Sequence, residues 1–157
     1  MAVLARRAGR RDLDAIQTRW LELRESEAKA DARLGPSKNA AQIAREHREV
    51  VLADRRTAFF VAEDMGEIVG YLHAQIEQDD PSYATGNYGR VADLFVDLER
   101  RKQGIGRLLL RCAVEWFASH GTSEYRVSTP AAHPEARAFF QRAGLTELST
   151  TLSAPVS

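Results

Sequence analysis

Apolar residues recur along this chain at two different spacings, and the two spacings predict alternating strands and helices. Spacings of three and four residues predict amphipathic helices that begin after Asp12, after Asn39, at Ile105 and at Pro134. Short stretches rich in β-branched and aromatic residues predict strands at residues 3–5, 59–63, 68–76, 90–96, 125–129 and 145–152. The predicted order is one strand, two helices, three strands, a long helix, a strand, a short helix and a last strand.

The junction between the fourth predicted strand and the long helix carries the clearest candidate chemistry. Gly104 and Gly106 begin the helix, where unpaired backbone N–H groups and the positive end of the helix dipole favour an anion. Glycine leaves the backbone bare, so a phosphate can approach both positions closely. Full positive charges are added by Arg100, Arg101, Lys102 and Arg107. The pattern predicts a phosphate site, and an ordinary strand-to-helix turn with a solvated basic loop is the alternative.

Known phosphate-binding patterns narrow this prediction. No stretch of the chain supplies Gly-x-x-x-x-Gly-Lys-Ser/Thr, and Gly-x-Gly-x-x-Gly fails at Leu109. What remains is Arg101-x-x-Gly104-x-Gly106 after Asp-Leu-Phe-Val, which resembles the pyrophosphate-binding motif of the GNAT superfamily of N-acetyltransferases. Residues 133–145 are similar to the Asn-x-x-Ala-x-x-Phe-Tyr-x-x-x-Gly-Phe element of that family, with departures at His133, Phe140 and Leu145. With the order of elements added, the resemblance covers nearly the whole chain.

The resemblance implies both a fold and an activity. The expected fold class is α/β (α+β), in a single domain over residues 1–157 with residues 153–157 as a frayed tail. Its twisted sheet is expected to be mixed and mostly antiparallel, with six to seven strands, four helices and a splay between strands 4 and 5. The implied activity is transfer of an acetyl group from acetyl-coenzyme A to an amine, by direct attack in a ternary complex.

The same resemblance assigns residues to the cofactor. Backbone groups of Leu94, Phe95 and Val96 are expected to bind the pantetheine arm like an added strand, with one amide stabilising the oxyanion. The remaining cofactor contacts are assigned to Arg101, Lys102, Gln103, Gly104, Ile105, Gly106, Arg107, His133, Phe139 and Phe140. Because Phe140 replaces a tyrosine that many members use as general acid, a catalytically weak or inactive acyl-coenzyme A binding module is the alternative.

Asp93 and Tyr125 are the candidate catalytic residues. An alkylamine with a pKa of ~10.4 is only about one part in 10³ neutral near pH 7, so a proton acceptor must help. Strand alternation predicts that Val91, Asp93 and Phe95 share one face, on which Asp93 is the odd polar residue. Asp93 is a candidate to accept the proton through water, or to be a structural partner of a backbone or arginine group. The candidates to replace the missing tyrosine are Tyr125, Tyr88 and His133.

The acceptor amine is expected beneath the two early helices, which cover the acceptor pocket in the family that the chain resembles. Acidic residues in this part of the sequence favour a small cationic amine over a protein acceptor. The candidate substrate-binding residues are Glu27, Asp31, Asp79 and Asp80.

Composition argues against several other classes of protein. The chain has 157 residues, of which 44% are hydrophobic and 28% charged, and its net charge is +0. A neutral chain without interleaved exposed aromatic residues is not expected to bind nucleic acid. No apolar run approaches the ~20 residues of a membrane span, and the start of the chain lacks the apolar segment of a secretory signal. Cys112 is alone, which fits a reducing compartment, and the four histidines lack metal-ligand spacing. We expect a cytoplasmic protein with no metal and no membrane contact, and the resemblance allows a homodimer.

Overall fold

The computed structural model describes residues 2–157, so Met1 lies outside it. The described residues form five strands, which are β1 (Val3–Arg7), β2 (Thr57–Asp64), β3 (Glu67–Gln78), β4 (Asn87–Val96) and β5 (Tyr125–Val127). The four α-helices are α1 (Leu13–Ala30), α2 (Ala40–Val51), α3 (Ile105–Ser119) and α4 (Pro134–Arg142). The strands lie in one sheet in the order β1-β2-β3-β4-β5, antiparallel except for the parallel pair β4 and β5. The expected α/β fold class with four helices is confirmed.

Helices cover both faces of the sheet. This explains why the sequence of β2 contains consecutive apolar residues. Ala58, Phe60 and Ala62 belong to the core cluster that includes α3 and Phe140 of α4. Phe59 and Val61 point the other way and pack with residues of α1. A strand that is buried on both faces needs apolar residues at consecutive positions rather than at alternate ones. The core therefore consists of two layers, one on each side of the sheet.

Strands β4 and β5 pair over a short length and then separate. The parallel register covers residues 89–91 of β4 and the three residues of β5, from Gly89↔Tyr125 to Val91↔Val127. Beyond this register, no described residue pairs with residues 92–96 of β4 on that side. The sheet is therefore splayed at the predicted place, and one edge of β4 is left open beside the start of α3.

A β-bulge in β4 changes the predicted orientation of its side chains. His73 of β3 lies opposite Asp93, whereas the next residue, Ala74, lies opposite Val91, so Ala92 is an extra residue. Val91 packs in the α3 cluster, while Phe95 packs with the α1 cluster on the other face. The prediction that Val91, Asp93 and Phe95 share a face is wrong for Val91, because an inserted residue reverses the alternation of a strand.

The last predicted strand does not form, so the sheet has five strands rather than six to seven. Residues 145–152 have no regular secondary structure, and Leu148 and Leu152 are 67% and 89% exposed. Alternating polar and apolar residues indicate an extended backbone, but a strand also needs a neighbour that pairs with it and covers its apolar face. Residues 153–157 are exposed as well. Between residues 2 and 157, the helices are all too short or too polar to cross a membrane.

Candidate functional site

The turn before α3 presents free backbone N–H groups. Gly104, at the N-cap of α3, has a φ of +84°, and Lys102 has a φ of +62°. The first hydrogen bond at this end of the helix runs from the N–H of Leu108 to the carbonyl of Gly104, at 3.1 Å. The N–H groups of residues 105–107 precede that bond and have no carbonyl of the helix to pair with. The side chain of Ile105 is buried and fixes the turn to the core.

Gly104 and Gly106 are glycines for different reasons. A Cβ atom on Gly104 would meet no atom of the described residues within 4 Å, so its face is open, and its positive φ favours glycine. A Cβ atom on Gly106 would lie 3.1 Å from two ring atoms of Phe139. Gly106 therefore allows α4 to pack closely against the start of α3. The open face of Gly104 is compatible with the predicted close approach of a phosphate, whereas the Cβ side of Gly106 is covered by Phe139.

Two arginines before the turn, Arg100 and Arg101, contact residues at the ends of β2 and β4. Arg101 donates from Nε to the carbonyl of Val96 at 2.9 Å, and its guanidinium lies 5.2 Å from the centre of the Phe95 ring. Arg100 pairs with Asp64 at 2.5 Å. Two other charged side chains, Lys102 and Arg107, lie on either side of the glycines. Both are exposed and make none of these contacts within the described residues.

The open edge of β4 carries backbone groups of two of the three expected residues. Asp97 donates its N–H to Val69 of β3 at 2.9 Å, and backbone groups alternate in direction along a strand. Leu94 and Val96 therefore direct their N–H and carbonyl groups away from β3, towards the opening. Phe95 directs its backbone groups to β3, where it lies opposite Tyr71. The backbone role expected of Phe95 is thus corrected, since its partner is β3.

A cavity of about 400 Å³ lies on the α1 and α2 side of the sheet, next to the bulge. Ala92 and Asp93 border it directly after Val91, the residue at which pairing with β5 ends. The other walls come from both early helices and from β2 and β3. Among the lining residues are Trp20, Arg24, Ile43, Arg48, Phe59 and Tyr71. The cavity and the turn before α3 therefore both lie beside the opening between β4 and β5.

Asp93 is held firmly in the wall of this cavity. Its side chain is 9% exposed, and it accepts hydrogen bonds from Arg24 at 3.1 Å and from the hydroxyl of Tyr71 at 3.2 Å. Burial, together with the charge of Asp93, raises the pKa of Tyr71 well above its usual value. The hydroxyl of Tyr71 therefore stays protonated and donates a hydrogen bond to the carboxylate of Asp93. This arrangement places one oriented carboxylate beside the open part of β4.

The family comparison agrees with this geometry. A family model described as the acetyltransferase (GNAT) family matches residues 17–145, which include most of α1, the bulge, the turn before α3 and α4. The chain belongs to this GNAT family.

Relatives of this GNAT chain were found among both curated proteins and solved structures. N-acetyltransferase 8 of Homo sapiens is 33% identical over 59% of this chain, and the match covers 40% of that protein. The chain thus spans less than half the length of that relative. A mutant of the BH1408 protein of Bacillus halodurans has a TM-score of 0.88 at 19% identity, covering 98% of this chain and 99% of the other. A predicted acetyltransferase of Clostridium acetobutylicum, solved with acetyl-CoA, has a TM-score of 0.82 at 15% identity, covering 98% and 96%.

The acidic residues expected to bind the acceptor do not line the cavity of this GNAT chain. Each has a nearby partner instead: Glu27 pairs with Arg24, Asp31 with Arg33 and Asp79 with Arg126, and Asp80 accepts hydrogen bonds from Ser82. The charged lining consists of Asp93 with Arg24, Arg48 and Arg90. The acidic residues on which the preference for a small cationic amine was based therefore lie outside this lining, and that preference stays a prediction.

The remaining candidates are distributed around the site. Tyr125 stacks on Phe117 with ring centres 5.7 Å apart, at the paired end of β5, so the structure does not bring its ring to the opening. Phe140 is 7% exposed and belongs to the core. His133, at the N-cap of α4, lies with Nε2 3.0 Å from the hydroxyl oxygen of Ser26 and thereby links α4 to α1.

The sequence analysis missed Arg48, although one signal for it exists. Arg48 is 5% exposed, and it follows Ala44 by four residues and precedes Val51 by three, so it lies on the inner side of α2. It donates to the side-chain oxygen of Gln17 and lies 5.3 Å from the centre of the Trp20 ring. A charged residue at helical spacing among apolar ones is the signal that identifies such a position.

His73 should make the stability of the fold depend on pH. Its side chain is stacked on Phe59 with ring centres 4.1 Å apart, and burial lowers its pKa from 6.5 to about 4. Above pH 6.5 the imidazole is neutral in both states, whereas between pH 6.5 and 4 only the unfolded chain takes up the proton. The free energy of unfolding should therefore fall over that range, by up to about 3 kcal/mol.

Denaturant unfolding of the wild type and of His73→Gln, from pH 7 to pH 4, measures this effect. The wild type should lose more stability than the variant as the pH falls, because the variant lacks the titrating ring. Parallel curves for the two proteins would contradict the prediction. Comparing the two proteins also subtracts the carboxylates that titrate in the same range.

Proposed function

We propose that this chain is an acetyl-coenzyme A-dependent N-acetyltransferase that acts on a small amine. The observation that carries the proposal is the open edge of β4, which lies between free N–H groups at the start of α3 and a cavity with one oriented carboxylate. The acetyl-CoA complex of the Clostridium acetobutylicum protein supports the choice of acyl donor. Family membership and the match to N-acetyltransferase 8 support an amine as acceptor.

The turn before α3 is proposed to bind the diphosphate of coenzyme A. The N–H groups of residues 105–107 and the face of Gly104, free of atoms within 4 Å, fit an anion at a helix start. Lys102 and Arg107 add charge from exposed positions, and Gln103 completes the loop between two residues of positive φ. Arg101 contributes indirectly, by holding the end of β4 through the carbonyl of Val96.

The edge of β4 is proposed to bind the pantetheine arm. Leu94 and Val96 offer backbone groups to an extended ligand in the manner of an added strand. Phe139 flanks the same region, because its ring packs on Gly106. His133 begins α4 on that side and is held by Ser26. When bound, acetyl-coenzyme A supplies an activated acetyl thioester, and the N–H of Leu94 is the proposed donor to the oxyanion.

Asp93 is proposed to attract the acceptor ammonium and to accept its proton through water. The neutral nitrogen then forms a bond with the acetyl carbon, and the carbon–sulfur bond breaks to release the thiolate. The nitrogen loses its second proton, which passes through water to the thiolate. A thiol has a pKa near ~8.5, so the thiolate can leave near neutral pH without full protonation. Phe140 cannot donate a proton, and Tyr125 lies at the paired end of β5. The proposal therefore has no general acid and predicts a slower reaction rather than none.

An acyl-coenzyme A binding module without turnover is the second candidate, and the phenyl ring of Phe140 favours it. Release of free thiol from acetyl-coenzyme A, measured with a panel of amines, separates the two functions. We expect turnover with at least one amine and calorimetric binding of coenzyme A. Binding without turnover on every amine would favour the module, and loss of both binding and turnover would reject both functions.

A further inference from the structure

We propose that the acceptor amine also carries an anionic group such as a carboxylate, and that Arg48 binds this group. The inference rests on the proposed function, because it assumes that the cavity beside Asp93 receives the amine. It replaces the cationic acceptor expected from the sequence with a zwitterionic one. The evidence is the charge arrangement of the cavity, and Arg48 is its central feature.

Arg48 is a buried cation that lacks an anionic partner. It is 5% exposed and borders the cavity, and its hydrogen-bond partner is the neutral amide of Gln17. Among residues 2–157, no carboxylate lies within ion-pair distance of it. A guanidinium carries five N–H donors, and burying it without a counter-ion is costly. The remaining donors are therefore suited to a ligand that brings its own negative charge.

The other two arginines of the cavity are already neutralised. Arg24 pairs with Asp93 at 3.1 Å and also with Glu27. Arg90 pairs with Glu77 at 3.0 Å, and its side chain is 45% exposed. Within the described residues, Arg48 is thus the lining arginine that remains available for an anion. A carboxylate suits it well, because the planar guanidinium can donate two parallel hydrogen bonds to both oxygens.

The rest of the cavity fits a small zwitterion with an apolar body. Asp93 provides the site for the ammonium, and Trp20, Ile43 and Phe59 provide apolar walls. A volume of about 400 Å³ is in the range of small-molecule pockets. His73 borders the cavity too, but burial lowers its pKa to about 4, so it is neutral at physiological pH and does not compete for the anion. Within residues 2–157, the cavity therefore offers the guanidinium of Arg48, which has no carboxylate partner, and the oriented carboxylate of Asp93.

Two matched pairs of acceptors test the inference. Phenylalanine and phenethylamine differ only in a carboxylate next to the amine, and 4-(aminomethyl)benzoate and benzylamine differ in a carboxylate at the far end. With the wild type, we expect kcat/KM for the carboxylated member of at least one pair to exceed that of its partner by about 10- to 100-fold, which a charge-assisted hydrogen-bonded pair can supply. Equal or reversed preference in both pairs would overturn the inference.

The variant Arg48→Met should remove this preference and leave the affinity for coenzyme A unchanged. The carboxylated acceptor should lose about 10- to 100-fold in kcat/KM, while the uncharged analogue should change little. Arg48→Lys should keep part of the preference, since it keeps the charge but not the planar fork. Arg45→Met is the matched control on α2, because Arg45 is exposed and pairs with Asp14. A preference that survives in Arg48→Met would overturn the assignment to Arg48.

Binding of reaction products separates this inference from the proposed function and does not require a folded variant. N-acetylphenylalanine and N-acetylphenethylamine, with the acetylated forms of the benzyl pair, can be titrated calorimetrically into the wild type. Tighter binding of a carboxylated product supports the inference, even if turnover is absent and the acetyltransferase proposal fails. Turnover of amines without any carboxylate preference in rates or binding would sink the inference and leave the acetyltransferase proposal standing.

Discussion

Replacement of Gly104 by glutamate is expected to lower the affinity for coenzyme A by at least about 100-fold. The face of Gly104 is open, with no atom of residues 2–157 within 4 Å of a built Cβ, so the new carboxylate would project to where the diphosphate is proposed to bind. It would repel the phosphates and compete for the N–H groups of residues 105–107. Each hydrogen bond to a charged group contributes about 1.5–3 kcal/mol, so losing two of them exceeds 100-fold. Calorimetric titration with coenzyme A measures the change.

Gly66→Glu is the matched control for this experiment. Gly66 also has a φ of +84° and an open face, but it lies in the turn between β2 and β3. Both variants therefore introduce the same charge and the same strain of a side chain at positive φ, about 1–2 kcal/mol. We expect similar melting temperatures for the two, and loss of coenzyme A binding in Gly104→Glu alone. Unchanged affinity in Gly104→Glu would remove the diphosphate from this turn.

Features that depend on local sequence could be predicted. The apolar spacing of three and four residues predicted the start of α3 at Ile105, where the structure has it. Pro134 begins α4 because its fixed φ suits the first turn of a helix. The two helix signals lie within a few residues of the features that they predict. The splay between β4 and β5 followed instead from the resemblance to the GNAT family, which rests on the motif around Gly104, on residues 133–145 and on the order of elements.

Features that depend on distant partners could not be predicted in the same way. The bulge at Ala92 is set by the register between β3 and β4, and neither glycine nor proline marks it in the sequence. The prediction of a last strand was wrong because the alternation of polar and apolar residues from residue 145 onwards does not show whether a neighbouring strand exists to pair with it. The charge of the cavity depends on pairs far apart in the chain, such as Arg24 with Asp93. Counting acidic residues near the early helices therefore could not show which charges line the cavity.

The bulge also shapes the wall of the cavity next to Asp93. If β4 were regular, with Ala92 in register, the alternation that places Phe95 on the α1 face would place Val91 there too. The bulge lets Val91 pack with α3, while Ala92 and Asp93 both border the cavity. Bulges are frequent near functional sites because they redirect side chains in this way. The bulge therefore changes the face of Val91 and adds Ala92 to the cavity wall, whereas Asp93 keeps the face that it shares with Phe95.

Asp93→Asn is expected to reduce turnover by about 100-fold or more, with little change in the affinity for coenzyme A. An asparagine oxygen can still accept the hydrogen bond from Tyr71, and Arg24 keeps its contact with Glu27, so the wall of the cavity should remain. What the amide cannot do is take up a proton, and general base catalysis typically contributes about 10²–10⁴-fold. Asp31→Asn is the control, because Asp31 pairs with Arg33 away from the cavity.

The pH dependence of the rate decides between the two roles considered for Asp93. If Asp93 accepts the proton in the wild type, Asp93→Asn can react only with amine molecules that are already neutral in solution. The neutral fraction of an alkylamine rises about tenfold per pH unit below ~10.4, so the rate of Asp93→Asn should approach that of the wild type as the pH increases. If Asp93 is only a structural partner of Tyr71 and Arg24, the variant should melt at a lower temperature, and high pH should not restore its rate. Wild-type rates at neutral pH would return Asp93 to that structural role.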